Sequence, residues 1–92
     1  MIYGYARVST FKQNIERQIR NIIKIYPTAK IIEEEYTGTK IEGRKKFEQL
    51  LKIVRAGDTI IFDSVSRMSR NAETGFQVYQ DLFDRGIELV RL

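Results

Sequence analysis

Ser9 closes the segment Ile2-Tyr3-Gly4-Tyr5-Ala6-Arg7-Val8-Ser9, with Arg7 two residues behind it. Far along the chain Ser66-Arg67-Met68-Ser69-Arg70 carries two more guanidinium groups three residues apart. A serine hydroxyl is a poor nucleophile until a base or a field of positive charge activates it, and the chain contains no histidine. Attack on a phosphodiester places extra negative charge on the equatorial oxygens of phosphorus, which guanidinium forks match in shape and charge. Removing one such donor typically costs about 10²–10³ in rate. Arg7, Arg67 and Arg70 would supply that charge, with Arg44 as a further donor. Gln18, read as lying on the exposed side of a helix, would add a neutral one. The set suits attack on phosphorus better than attack on a carbonyl.

These residues are useful only if the fold brings them together. Ile2 to Val8 reads as a short buried strand, after which the chain turns at Ser9-Thr10 into a helix over about Gln13 to Tyr26. Ile15, Ile19, Ile22, Ile23 and Tyr26 follow the spacing of one buried face. Thr10 with Gln13, or Asn14 alone, can cap its start, and Pro27 stops it. A second strand runs over Ala29 to Glu34, and Tyr36 to Gly43 reads as a polar loop. A second helix over Arg44 to Ala56 would bury Phe47, Leu50, Leu51 and Val54, with Gly57 as a left-handed C-cap. Thr59-Ile60-Ile61-Phe62 is a continuous apolar run that suits a central strand covered on both faces. A third helix begins at an Asn71 or Glu73 cap and ends at about Arg85, with Phe76, Tyr79, Leu82 and Phe83 as its buried stripe. Gly86 ends it, and Ile87 to Leu92 is the fourth strand.

The β-α-β-α-β-α-β alternation predicts an α/β fold. Its four-stranded sheet would be mainly parallel, in the order 2-1-3-4, with helices on both faces in three layers. In such a sheet ligands bind beyond the carboxyl ends of the strands, where the strand order reverses. Ser9 follows the first strand, while Ser66, Arg67 and Arg70 follow the third. Adjacent first and third strands would therefore place them at one crevice. Each residue alone has a plainer reading. A serine at a strand-to-helix turn is ordinarily a cap, Arg7 a surface arginine, and Arg67 with Arg70 a solvated turn. Lys45 and Lys46 read as solvated helix residues. Glu33 to Glu35 reads as a charged strand end and not a metal site. Convergence on one edge favours the chemical reading.

Composition agrees with one small domain. Ninety-two residues, 42% apolar and 30% charged, describe an ordinary globular chain, able to bury roughly 60–65% of its unfolded surface. The absence of cysteine excludes a disulfide framework and thiolate chemistry. Without cysteine or histidine, metal ligands would be restricted to oxygen, which argues against zinc. No apolar run approaches the roughly 20 residues of a membrane span. The chain opens directly into a strand, so a secretory leader is not expected and the cytoplasm is the default compartment. A net charge of +4 and a pI of about 9.5 tilt the surface mildly towards polyanions.

Tyr5-Ala6-Arg7-Val8-Ser9-Thr10 resembles the nucleophile segment of the serine recombinases, the resolvase and invertase family. Gln18, the run Tyr36-Thr37-Gly38 with Arg44 six positions beyond it, and the arginine pair in Ser66-Arg67-Met68-Ser69-Arg70 fit the same pattern in order and spacing. The likeness covers essentially the whole chain. It implies a resolvase-like fold in which Ser9 attacks a DNA phosphate, releases a 3′-hydroxyl and holds the other end as a 5′-phosphoserine. Arg7, Arg67 and Arg70 would bind the scissile phosphate, assisted by Gln18 and Arg44. Neither a metal nor a nucleotide cofactor is implied. The partners implied are double-stranded DNA and further copies of the protein, as a homodimer and a tetramer, with no membrane and no small-molecule substrate.

One departure is that Ser66 stands where the family commonly has an aspartate before the first arginine of the pair; Asp63 lies three residues earlier. The resemblance also implies that residues 1–92 are part of a longer catalytic domain, without its dimerisation helix and DNA-binding domain. On that expectation the apolar Leu89-Val90-Arg91-Leu92 end leaves a hydrophobic face or sheet edge open. Two other readings compete. A non-catalytic, receiver-like α/β binding module would need carboxylates after the first and third strands, and only Asp63 qualifies. A hydrolytic nuclease would need a cluster of metal-binding carboxylates at the same edge.

Overall fold

The computed structural model describes residues 1–8, 14–36, 44–62 and 72–92. Among them the order is β1 (Ile2–Val8), α1 (Glu16–Ile25), β2 (Lys30–Glu35), α2 (Lys45–Ile53), β3 (Thr59–Phe62), α3 (Ala72–Asp84) and β4 (Glu88–Arg91). The strands form one sheet in the order β2-β1-β3-β4, and every neighbouring pair is parallel. The predicted fold class and strand order are those observed. Ser9, Arg67, Arg70, Ser66 and Asp63 lie outside the described residues.

Alternation along the strands sorts side chains onto two faces. Tyr3, Tyr5, Ile60 and Phe62 point to one face, where Phe47, Leu50 and Val54 of the α2 region and Leu82 of α3 pack on them. Ile61 points to the other and meets Ile22 of α1 together with Ala29, Ile2 and Ile31. The sheet is thus covered by α2 and α3 on one side and by α1 on the other, as the three-layer expectation required. The larger core centres on Tyr5, Phe47 and Phe62. Tyr5 lies 4.8 Å from the Phe47 ring and 5.9 Å from that of Phe62, and the two phenyl rings are 6.2 Å apart in an edge-on contact. Aromatic pairs in such tilted geometries contribute about 0.5–1.5 kcal/mol beyond the area they bury.

Several boundaries and one whole face differ from the sequence reading. Helix α2 stops at Ile53 because Val54 turns to an extended conformation. Gly57 does take a positive φ of 94°, but within the turn that Asp58 closes by donating its N–H to the Arg55 carbonyl, not as the helix cap. Gly86, with φ 80°, ends α3 as expected, and Ile87 N–H reaches back to the Leu82 carbonyl. Arg85 donates to the carbonyls of Leu51 and Val54 and so satisfies acceptors at the end of α2. The N-terminal entry of α1 uses Asn14, whose Oδ1 accepts the Glu16 N–H at 2.9 Å.

The stripe assigned to α3 is the larger correction. Leu82 is fully buried, whereas Phe76, Tyr79 and Phe83 are 66%, 46% and 64% exposed. The inward face is carried by Val78 and Leu82, and Tyr79 stacks on Phe83 outside it. Both stripes have helical spacing, so periodicity identifies an amphipathic helix without saying which apolar stripe meets the sheet. The exposed face borders a groove lined by Tyr79, Phe83, Gly86, Ile87, Glu88 and Leu89 beside the edge strand β4. No helix among the described residues is long and apolar enough to cross a membrane.

Candidate active site

The carboxyl end of β1 is the centre of the site. β1 is flanked by β2 and β3, with Arg7 opposite Glu34 on one side and Tyr5 opposite Phe62 on the other. The ends of β1 and β3 are therefore neighbours, as the crevice argument required. The segments carrying Ser9 and the arginine pair follow these two ends directly in the chain.

Arg7 shares its face with Tyr3 and Tyr5 by strand alternation, so its side chain enters the α2 side of the sheet and is 2% exposed. Its Nη1 donates to the Tyr36 carbonyl at 2.7 Å. Arg44 occupies the N-cap position of α2 and is fully buried. Its guanidinium carbon lies 5.5 Å from the Tyr36 ring centroid, within the range of a cation–π contact. Two elements separated by 37 positions thus deliver buried guanidinium groups to one region around Tyr36.

Glu34 is a buried carboxylate in this region, and the sequence reading missed it. The residue read only as part of a charged strand end is 5% exposed. Its Oε1 accepts the Phe47 N–H at 3.0 Å and its Oε2 accepts the Lys46 N–H at 3.3 Å. These are amides of the first turn of α2, whose orphan donors and dipole both favour a carboxylate there. The Tyr5 hydroxyl donates to the same Oε1 at 3.4 Å. Burial pushes the Tyr5 phenol well above its ordinary range, and the nearby Glu34 charge adds to that; the Arg44 and Arg7 charges oppose it. Counting by two from the apolar Ile32 would have placed Glu34 on the α2 face. Its membership of a run of three glutamates hid that signal.

Gln18 also departs from expectation. It is 4% exposed, not on the open side of α1. Its Oε1 accepts the Arg7 N–H at 3.0 Å and its Nε2 donates to the Arg7 carbonyl at 2.9 Å. The side-chain amide makes the pair of bonds that a neighbouring parallel strand would make, two residues beyond the Tyr5–Phe62 pairing. The amide grips the strand end that leads to Ser9. Among the described residues no group of histidine, cysteine, aspartate or glutamate side chains could hold a metal ion.

Known proteins share this arrangement. The chain is 36% identical over 86 residues to the transposon Tn501 resolvase of Pseudomonas aeruginosa, covering 94% of this chain and 44% of the relative. It is 35% identical over 83 residues to the DNA-invertase hin of Salmonella typhimurium, covering 90% and 43% respectively. The chain therefore spans less than half the length of these relatives. In fold it is similar to a serine recombinase from Sulfolobus solfataricus, with a TM-score of 0.82 at 20% identity over 98% of this chain and 66% of that one. The N-terminal catalytic domain of TP901-1 integrase gives a TM-score of 0.78 at 22% identity, covering 99% and 75%. Residues 2–92 match the family described as Resolvase, N terminal domain, and with its resolvase and invertase relatives, its strand order and the arginines gathered at the end of β1, the chain belongs to that family.

Proposed function

We propose that this chain is the catalytic part of a site-specific DNA recombinase that cuts and rejoins double-stranded DNA through a 5′-phosphoserine. The observation that carries the reading is the burial of Arg7 and Arg44 beside the end of β1, one residue before Ser9, in a chain of the resolvase N-terminal family. Ser9 Oγ attacks phosphorus, the new O–P bond forms as the P–O3′ bond breaks, and the hydroxyl proton ends on the departing 3′ oxygen. One phosphodiester is exchanged for another, so bond energy is kept for the reverse attack by a 3′-hydroxyl. Arg7, Arg44, Arg67 and Arg70 offset the charge that grows on the phosphoryl oxygens. Gln18 acts one step back, through the backbone of Arg7. Joining exchanged strands needs more than one active site, which favours a homodimer that pairs into a tetramer on DNA.

The test is a trapped cleavage reaction by the protein carrying this chain, on a duplex recovered by selection from a randomised pool and read on denaturing gels. Ser9→Ala should abolish the covalent protein–DNA species while leaving duplex binding within a few-fold. Arg67→Lys should be severely impaired, since lysine offers no planar fork. A covalent species that persists in Ser9→Ala would refute the assignment of Ser9.

A further inference from the structure

We infer that Glu34 is the positioning residue of this site: it locks the first turn of α2 to the strand layer and thereby fixes where Arg44 stands. The inference rests on the reading of Arg44 as a phosphate-facing group. Its basis is geometric. Glu34 pairs with Arg7 in the β1–β2 ladder, so its backbone is tied to the strand that carries one arginine. Its carboxylate accepts the N–H groups of Lys46 and Phe47, the second and third residues of the helix that follows the other arginine. One residue therefore couples the two arginine-bearing backbones. Tyr5 adds a further tie from β1, because its hydroxyl donates to the same carboxylate.

The chemistry requires a carboxylate. Two oxygens accept from two backbone donors, and a carboxylate is an acceptor at both. A glutamine at this position would keep one acceptor but set an NH₂ donor against a backbone N–H. The helix start would shift away, and Arg44, at the N-cap, would move with it. A displacement of about 1 Å remote from the reacting atoms can cost about 10²-fold in rate.

The test compares Glu34→Gln, Glu34→Asp and Arg44→Ala in the protein carrying this chain. The readouts are amide exchange at Lys46 and Phe47, the Arg44 Nε resonance, and single-turnover cleavage with duplex affinity measured separately. Glu34→Gln should speed exchange of the Lys46 and Phe47 amides at least tenfold, shift the Arg44 resonance and slow cleavage about 10²-fold. Duplex affinity should stay within about threefold. Glu34→Asp, which keeps the carboxylate, should shift the resonance less and recover cleavage to within about tenfold of the parent. Unchanged amide exchange and an unmoved Arg44 resonance in Glu34→Gln would overturn the inference. So would normal cleavage by Glu34→Gln when Arg44→Ala is inactive, a result that leaves the reading of the site intact. If Arg44→Ala cleaves normally, the phosphate-facing reading of Arg44 fails instead. Should Glu34→Gln not fold, the Asp variant decides, because slowed cleavage with an unmoved Arg44 resonance would also overturn the proposal.

Discussion

Replacing Gln18 tests whether its amide holds the strand end as a surrogate strand. Its two bonds to Arg7 are 3.0 and 2.9 Å long, and both residues are buried at 4% and 2% exposure. Gln18→Leu keeps the volume and leaves one N–H and one carbonyl in an apolar wall. Each orphaned group costs about 1–3 kcal/mol, so the variant should lose roughly 2–6 kcal/mol. Domains of this size have only about 5–14 kcal/mol in total. Gln18→Glu is the sharper probe. Ionised, it accepts from Arg7 N–H but sets an oxygen against the Arg7 carbonyl; protonated, it restores the donor. The folded state therefore binds the proton more tightly than the unfolded chain, whose glutamate titrates near 4.3. Stability contributed by the protonated form is complete below about pH 4 and is lost as pH rises through the raised folded value. A plateau deficit of about 2 kcal/mol would place that value near pH 6, at 1.36 kcal/mol per pH unit. Urea unfolding of parent and variant at matched pH values measures the difference. A Gln18→Leu deficit below about 0.5 kcal/mol, the range of an ordinary surface change, would refute the argument. So would a Gln18→Glu deficit that does not change between pH 4 and 8.

Other perturbations probe the remaining parts of the structure. Tyr5 is held above its ordinary range mainly by burial, so the neutral phenol's contribution is present below about pH 10, where unfolded tyrosine titrates, and lost above it. The phenolate absorbance that distinguishes the parent from Tyr5→Phe should appear only with unfolding, and a titration near pH 10 in the folded protein would contradict the assignment. Phe83→Lys should change stability by less than about 0.5 kcal/mol because the side chain is mostly exposed, whereas Leu82→Lys should prevent folding, since it buries an unpaired charge; thermal melts separate the two. Leu50→Ala, at a side chain 1% exposed in the larger core, should cost about 2–5 kcal/mol by denaturant titration.

The order of elements was legible in the sequence because it depends on local signals. Apolar runs at strand length, helical spacing around Ile22 and Leu50, and a stop at Pro27 or Gly86 need no distant partner to be recognised. Right-handed parallel connectivity then led to the order β2-β1-β3-β4 and to the edge where β1 and β3 end together. The types of the site residues were legible for a similar reason: a serine and arginines at strand ends suit one chemistry. Tertiary structure alone decided which polar groups are covered and by what. Gln18 and Glu34 lie on amphipathic elements, and nothing in their local spacing says that one meets the Arg7 backbone and the other the amides of α2. Those partners come from segments 11 and 12 or more positions away. The same reason explains α3. Two apolar stripes fit its helical period, and the choice of Val78 and Leu82 as the inward one was made by where α3 lies on the sheet. Local periodicity describes a face; burial requires a second element to cover it, and that is a property of the whole fold.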